Sequence, residues 1–244
     1  MGRSKGPGSQ IGSGPFSPPP GQARMNRAVY IFRLLLVGVV WMIAPAMINA
    51  QPLNKAELLS AEQRLTELGY WLLKADGVAD ASTRHAVTAF QKVTQRKRTG
   101  TLSRADLEVL NTAAPSDPRF LSDKPHIEID ITRQVLFLFG ENGTVRKILP
   151  ISSGNEKRYF DQGKWQVAHT PRGTFRIVSK INGVRHAPLG TLYYPLYFYG
   201  GVAIHGSDSV PAFPASHGCV RIPRFADKEF NRMVPLGTPV IVYD

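Results

Sequence analysis

The spacing of hydrophobic residues changes abruptly near residue 114, and this change constrains the fold more than any other feature of the sequence. Before it, apolar residues recur every three or four positions, which is the period of an amphipathic helix. After residue 125 they alternate with polar residues, as at Ile127, Ile129 and Ile131, which is typical of a half-buried strand. The 244 residues therefore predict a small helical domain followed by a larger domain built mainly of strands.

Three short helices are predicted for residues 51–113. The apolar face of the first helix consists of residues spaced three or four apart: Leu58, Ala61, Leu65 and Leu68. The second helix is expected to begin near Ser82 or Thr83, and Ser103 with Asp106 forms a capping box ahead of the third. Three helices of this length enclose only a small core, so the module is expected to be marginally stable in isolation.

Residues 125–244 predict a β-rich domain, joined to the helices by a short linker at 114–124 that contains proline and aspartate. The strand candidates are six short segments: 127–131, 135–139, 145–151, 173–178, 197–204 and 238–243. Asn142-Gly143 marks a hairpin turn, and helical periodicity returns once, at 226–234. Many short strands with a single helix predict a β-sandwich or a partly closed barrel.

The first fifty residues indicate an export signal rather than a folded domain. Residues 1–24 are rich in glycine, proline and serine, and are expected to be disordered or to precede the true start at Met25. In residues 25–50, arginines come before an apolar run, which predicts a signal peptide, with a retained signal anchor as the alternative. We therefore expect the rest of the chain to be exported to the periplasm or the cell wall.

The formal net charge of +12 is spread along the chain, and the longest basic run is Arg96 to Arg98. A dispersed charge of this kind argues against nucleic-acid binding, which needs a basic patch or stripe. For the short run, a solvated surface is the favoured interpretation, and contact with an anionic wall polymer is the alternative.

Cys219 is the only cysteine, which excludes an internal disulfide and a zinc site built on several thiolates. In an exported protein, a lone thiol is either buried and inert or kept for its reactivity. All six histidines precede Cys219, whereas the cysteine of papain-like enzymes precedes its histidine. A papain-type arrangement is therefore excluded.

The residues that carry chemistry lie in two short stretches, 204–206 and 216–221. A nearby imidazole at His205 would accept the proton of the Cys219 thiol and so activate it. The glycine before the cysteine permits a tight turn, and the N–H groups around it are suited to stabilise an oxyanion. Two alternatives remain open: zinc coordination by His205, His217 and Cys219, and a buried core thiol.

Two family resemblances follow from these residues. Residues of the helical module resemble the peptidoglycan-binding domain 1 family: Leu65, Leu68-Gly69-Tyr70, Asp76-Gly77, Thr83, Ala86-Val87, Phe90-Gln91 and Thr99-Gly100. Residues 125–244 resemble the L,D-transpeptidase (YkuD-like) catalytic domain through three motifs: Ile204-His205-Gly206, Ser216-His217-Gly218-Cys219-Val220-Arg221 and Thr170-Pro171-Arg172-Gly173-Thr174-Phe175. The first resemblance implies a module that holds an enzyme on the cell wall.

The second resemblance implies roles for five residues of the site. Cys219 would be the nucleophile that accepts the acyl group, and His205 would be its base. The Gly206 carbonyl would orient the imidazole. The backbone from His217 through Gly218 to Cys219 would form the oxyanion hole.

Three further residues are candidates for substrate binding, each with a structural alternative. Arg221 would hold a carboxylate of the substrate, or form a salt bridge within the protein. Ser216 would contact substrate, or form a local hydrogen bond. Tyr199 would line the substrate groove, or pack in the sheet. His217 is expected to be an orienting or structural residue rather than the base.

Together, the resemblances imply an exported peptidoglycan L,D-transpeptidase with no cofactor and no metal. A Cys219 thioester would release the terminal D-alanine of a tetrapeptide stem and pass the acyl group to an amine of another stem, giving a three-to-three cross-link. An L,D-carboxypeptidase and a non-catalytic wall-binding protein remain as alternatives. The expected partners are stem peptides and wall polymer, not nucleic acid, with membrane contact only if the signal is retained.

Overall fold

The structure, a computed structural model, describes residues 52–244 and Gly2. Apart from Gly2, the segments expected to be disordered (1–24) or to form an export signal (25–50) lie outside the described residues, so both expectations remain predictions. Within the described part of the chain, no helix is long and apolar enough to cross a membrane.

Three helices come first among the described elements: α1 (Lys55–Glu67), α2 (Ala81–Val93) and α3 (Arg104–Thr112). The predicted capping box of Ser103 and Asp106 opens α3. Helix α2 begins slightly earlier than predicted, because the Asp80 side chain accepts the Thr83 N–H. Each of these caps satisfies an N–H group that has no partner inside the helix.

The remaining described elements are short strands, a single 3-10 turn at Glu141–Gly143 and one further α-helix. The strands are β1 (His126–Asp130), β2 (Val135–Phe139), β3 (Val145–Pro150), β4 (Arg158–Asp161), β5 (Lys164–Val167), β6 (Gly173–Arg176), β7 (Ser179–Lys180), β8 (Val184–Ala187), β9 (Gly190–Tyr199), β10 (Val202–Ser207), β11 (Val220–Pro223) and β12 (Pro239–Tyr243). Helix α4 (Arg224–Met233) lies between β11 and β12, where helical periodicity predicted it.

One predicted strand is wrong. Residues 197–204 do not form a single strand, because the chain turns at Gly200 and Gly201 between β9 and β10, which pair antiparallel. The strands that the apolar pattern missed are β4, β5, β7, β8 and β11. They are two to four residues long, too short for alternation to be recognised.

Ten of the twelve described strands form two sheets that pack face to face, and β4 pairs with β5 in a separate two-stranded sheet. The strand order is β3-β2-β1-β12-β6 in the first sheet and β11-β10-β9-β7 in the second, where β8 also pairs with β9. Apolar residues of both sheets share one buried cluster, among them Ile129, Leu136, Val240, Phe198, Ile204 and Ile222. The predicted β-sandwich is confirmed, without a closed barrel.

Both faces of β1 are buried, so the prediction of a half-buried strand was wrong. Its isoleucines face the space between the sheets. On the opposite face, the Glu128 carboxylate accepts hydrogen bonds from the N–H groups of Arg119 and Phe120. The segment predicted as a linker, 114–124, thus folds back over the sheet and covers its polar residues.

The helical module packs against the outer face of the first sheet. Its apolar residues form one buried cluster with four residues of β2 and β3: Val135, Phe137, Phe139 and Ile148. The Trp71 N–H donates to the Ile148 carbonyl at 3.1 Å, and the Ile148 N–H donates to the Gly69 carbonyl at 2.7 Å. The module and the β-domain therefore share a core and belong to one compact unit.

Lys92 of α2 lies inside this interface. Its side chain is fully buried, and its Nζ donates to the carbonyl oxygens of Gln134 at 3.0 Å and Ile151 at 2.9 Å. Burial disfavours the charged form, and repulsion from Arg98 adds to this, so the pKa of Lys92 is lowered to about 7.

We predict that the protein becomes more stable relative to a Lys92→Met variant as the pH rises from about 7 to about 10. In this window the unfolded chain, with an ordinary lysine pKa near 10.5, holds a proton that the folded protein has released. The free energy of unfolding then rises with pH, by at most about 1.4 kcal/mol per pH unit. Urea unfolding of both proteins across this range measures the difference. A difference that does not change with pH would contradict a largely neutral Lys92.

Candidate active site

The parallel pairing of β10 with β11 brings His205 and Cys219 to one face of the second sheet. The register pairs Ile204 with Val220, so Cys219, one residue earlier, lies beside Ala203. Side chains two residues apart in a strand project to the same face, which places His205 on the side of Cys219. Both residues line one cavity of about 450 Å³.

The Gly206 carbonyl fixes the orientation of the His205 ring. His205 is buried, and its Nδ1 lies 2.8 Å from the Gly206 oxygen. A carbonyl oxygen can only accept, so Nδ1 carries the proton and Nε2 is left as the acceptor. Burial, with a smaller contribution from the Arg221 charge, lowers the pKa of His205 to about 4, and the hydrogen bond to Gly206 opposes this only in part. His205 is therefore neutral near pH 7.

Asp227 of α4 explains why residue 206 is a glycine. A Cβ at Gly206 would lie 2.2 Å from Oδ2 of Asp227 and 2.5 Å from its Cβ. Asp227 is buried, and its Oδ2 lies 3.4 Å from Nε of Arg224. Helix α4 therefore packs directly on the backbone that carries His205.

The Cys219 thiol is in its neutral form near pH 7. Cys219 is partly exposed through the cavity, yet burial raises the pKa of its thiol. The Ala203 N–H and the Arg221 charge act in the opposite direction, but more weakly. With a neutral His205 beside it, the resting pair is a thiol and an imidazole rather than an ion pair.

The Ser216 hydroxyl holds the turn that presents Cys219. Its Oγ donates to the Cys219 carbonyl at 2.6 Å and accepts the Gly218 N–H at 3.0 Å. This corrects two expectations, because the hydroxyl is not available for substrate and the Gly218 N–H is not available for an oxyanion. The N–H groups of His217 and Cys219 have no acceptor within residues 52–244.

Gly218 itself is needed for this turn. Its φ of +136° is rarely adopted by other residues, and a Cβ there would lie 2.9 Å from the His169 carbonyl oxygen.

Arg221 lies on the same face as Cys219 and also lines the cavity. No acidic side chain within residues 52–244 forms a salt bridge with it, so the structural alternative for Arg221 is not what the structure shows. Arg221 is half-buried, and the cavity that it lines has a volume of about 450 Å³. A substrate carboxylate is the natural partner for such a group.

The two remaining candidates lie at the edge of the site or outside it. The exposed His217 places its ring 4.7 Å from that of Tyr159, between centroids, on the rim of the cavity. Tyr199 is exposed, packs against Phe175 and is not among the residues that line the cavities at Cys219, which corrects its predicted substrate contact. The tyrosine that does line one of them is Tyr197.

Metal coordination has no geometric support among the residues that the structure describes. No group of three His, Cys, Asp or Glu side chains there is arranged to hold a metal ion. The zinc alternative for His205, His217 and Cys219 therefore lacks its ligand set.

A second cavity of about 540 Å³ also reaches Cys219. Its walls include Arg185 and Tyr197, and Cys219 lines both cavities. The apolar pattern gave no signal for Tyr159 or Arg185, because both lie on the short strands that it missed. Cys219 thus stands where two grooves meet.

Comparison with known proteins agrees with this arrangement. Residues 124–242 match the YkuD family, the L,D-transpeptidase catalytic domain, and residues 54–110 match a peptidoglycan binding domain family. A crystal structure of an L,D-transpeptidase (residues 123–326) from Xylanimonas cellulosilytica DSM 15894 is 38% identical with a TM-score of 0.73, over 79% of this chain and 96% of that one. The chain belongs to the L,D-transpeptidase family, and both resemblances noted in the sequence are confirmed. Its partner is accordingly peptidoglycan, and its activity lies in peptidoglycan cross-linking or processing.

More distant structures also match. An L,D-transpeptidase from Stackebrandtia nassauensis is 20% identical with a TM-score of 0.46, over 80% of this chain and 94% of that one. An L,D-transpeptidase from Mycobacterium smegmatis is 24% identical with a TM-score of 0.41, over 50% of this chain and 59% of that one. Among curated proteins, no sequence matches this chain.

We predict that Gly206→Ala lowers the free energy of unfolding by about 1–3 kcal/mol, because the added methyl group overpacks the contact with Asp227. It should also reduce the activity of the site, since the strand that carries His205 must shift. The matched control is Gly183→Ala, where a Cβ meets no atom within 4 Å. Chemical denaturation measures both variants, and equal stabilities would contradict the packing described here.

We also predict that iodoacetamide alkylates Cys219 slowly near neutral pH. The rate should rise only at a pH above the pKa of an ordinary thiol, because only the thiolate reacts and burial raises the pKa of the Cys219 thiol. His205→Ala should change the pH dependence of the alkylation rate little, since a neutral imidazole does not stabilise a thiolate by charge. Cys219 is the only cysteine, so mass spectrometry reports on one site. A rate that levels off below pH 8 would instead demonstrate an ion pair.

Proposed function

We propose that this protein is an exported L,D-transpeptidase that forms a thioester between Cys219 and a tetrapeptide stem and then transfers the acyl group to an amine of a second stem. The observation that carries this proposal is the meeting of two cavities at Cys219. Transfer between two peptides requires that both reach one sulfur, whereas hydrolysis requires only one groove and water. The two-groove arrangement therefore favours transfer over an L,D-carboxypeptidase.

The first half-reaction uses the neutral thiol–imidazole pair. His205 accepts the thiol proton at Nε2 while the Cys219 sulfur attacks the carbonyl that joins the third stem residue to D-alanine. The C–N bond then breaks, and D-alanine leaves with the proton returned from His205. A thioester remains on Cys219.

Charge on the reacting carbonyl oxygen is stabilised by backbone donors. The Cys219 N–H and the His217 N–H are the free groups of the turn, and a preformed donor strengthens its interaction as negative charge develops. Arg221, which has no salt-bridge partner within residues 52–244, is suited to bind a carboxylate of the donor stem.

The second half-reaction exchanges the thioester for a peptide bond. An amine of the acceptor stem, bound in the other cavity, loses a proton to His205 and attacks the thioester carbonyl, and the thiol is restored. One peptide bond replaces another through the thioester, so no nucleotide is consumed.

Location and the helical module fit this chemistry. Peptidoglycan lies outside the cytoplasmic membrane, and the apolar run in residues 25–50 is the feature that supports export. The wall-binding module is packed on the first sheet, so it would hold the active site at a constant position relative to bound wall. This raises the local substrate concentration without adding a catalytic group.

We predict that the exported part, residues 51–244, converts a defined tetrapeptide muropeptide into a cross-linked dimer with release of D-alanine, as read by mass spectrometry. Cys219→Ala should abolish both products, because the thiol that forms the thioester is gone. The variant should still sediment with insoluble peptidoglycan through its helical module.

Three outcomes separate the candidate functions. Tripeptide and D-alanine without a dimer would favour the carboxypeptidase. Turnover that persists in Cys219→Ala would overturn the thioester mechanism. Wall binding without any change in the muropeptide, by a protein whose thiol does not react, would favour a non-catalytic wall-binding protein.

A further inference from the structure

We propose that Thr170 is a positioning residue that sets the direction of the Cys219 N–H, one of the two backbone donors proposed above to stabilise the oxyanion. The proposal rests on the acyl-transfer function proposed above. It concerns a residue that touches neither the reacting sulfur nor His205, and whose side chain is fully buried.

The Thr170 hydroxyl bridges two backbone groups behind the catalytic turn. Its Oγ1 donates to the Gly218 carbonyl at 2.7 Å and accepts the Gly154 N–H at 2.9 Å. The single hydroxyl proton is therefore committed to Gly218, and the Gly154 N–H holds the oxygen so that the proton points there. No other side chain within residues 52–244 bonds the Gly218 carbonyl.

The backbone around this hydroxyl is closely packed. A Cβ at Gly154 would lie 2.2 Å from the Ala168 carbonyl oxygen, and a Cβ at Gly218 would lie 2.9 Å from the His169 carbonyl oxygen. The chain that carries Thr170 thus runs directly against both glycines. Small shifts of Thr170 are transmitted to the turn because little free space remains to absorb them.

The planarity of the peptide bond links Thr170 to the Cys219 N–H. The Gly218 carbonyl and the Cys219 N–H belong to one peptide unit, which is planar and trans, so the two groups point in opposite directions. Holding the carbonyl on Thr170 therefore turns the N–H away from Thr170. Without this bond, the peptide unit is free to rotate and the donor loses its fixed direction.

The hydrogen-bond partners of the Gly218 and Cys219 backbone groups also support this role. The Ser216 hydroxyl bonds the Gly218 N–H and the Cys219 carbonyl, and Thr170 bonds the Gly218 carbonyl. Of the N–H and carbonyl groups of these two residues, only the Cys219 N–H has no hydrogen-bond partner within residues 52–244. Nearly all backbone groups in protein interiors are paired, so a free N–H on the residue that carries the thiol is a donor available to a ligand atom.

The experiment compares two reactions of Cys219 that differ in their need for an oxyanion donor. Acylation by p-nitrophenyl acetate, like attack on a stem peptide, passes through a tetrahedral oxyanion, and the sulfur replaces nitrophenolate on the acyl carbon. Alkylation by iodoacetamide displaces iodide at a saturated carbon and forms no oxyanion. If Thr170 positions the oxyanion donor, its loss should slow acylation and leave the rate of alkylation unchanged.

For Thr170→Val, which keeps the shape of the side chain and removes the hydroxyl, we expect the acylation rate and kcat for D-alanine release to fall by about 100-fold, the usual cost of one oxyanion donor. KM and the alkylation rate should keep their wild-type values. Thr170→Ser, which retains the hydroxyl, should recover most of the acylation rate. The matched control is Thr238→Val, because Thr238 is also buried and its hydroxyl donates to the Pro235 carbonyl at 2.8 Å.

Several results would overturn the proposal. Equal acylation by wild type and Thr170→Val would remove the need for the hydroxyl. A parallel loss of acylation and alkylation, or an equal loss in Thr238→Val, would indicate general disturbance of the structure. If wild type releases no D-alanine while the nitrophenyl ester still separates Thr170→Val from wild type, the proposed function fails and the role of Thr170 stands.

Discussion

The parallel contact between β10 and β11 is the constraint on which the candidate active site depends. These strands are separated in sequence by a loop, and their register places Cys219 beside Ala203 and on the face of His205. Because side chains alternate along a strand, a shift of one residue would turn the thiol to the opposite face. The register is held by the core residues Ile204 and Val220, and α4 packs against the backbone of the same strand. Packing between the two sheets therefore fixes the positions of His205 and Cys219 relative to each other.

The site combines a neutral pair of side chains with a rigidly bonded turn. Burial lowers the pKa of His205 and raises that of Cys219, so the thiolate is not present in advance of the substrate. The two buried hydroxyls of Ser216 and Thr170 bond three of the four backbone polar groups of Gly218 and Cys219. These bonds fix the backbone of the turn before any ligand binds.

The helical module has a second role besides the wall contact that its family implies. It covers the outer face of the first sheet, where the side chains of β2 would otherwise be exposed to water. The buried Lys92 extends from the module to the carbonyl of Ile151, next to Ser152, whose backbone pairs with Arg221 of β11. The helical module and the candidate active site at Cys219 therefore belong to one packed body.

The sequence by itself determined the local structure and the identity of the reactive groups. The spacing of apolar residues and the capping residues located the helices, because these signals depend only on neighbours in the chain. The lone Cys219 with an upstream His205 indicated a nucleophile and its base. The tertiary structure decided what depends on distant residues: the buried polar face of β1, the use of Ser216 within the turn, and the exclusion of Tyr199 from the cavities. Burial, pKa and hydrogen-bond partners are properties of the environment, and that environment is assembled from segments more than a hundred residues apart, such as Glu128 and Tyr243.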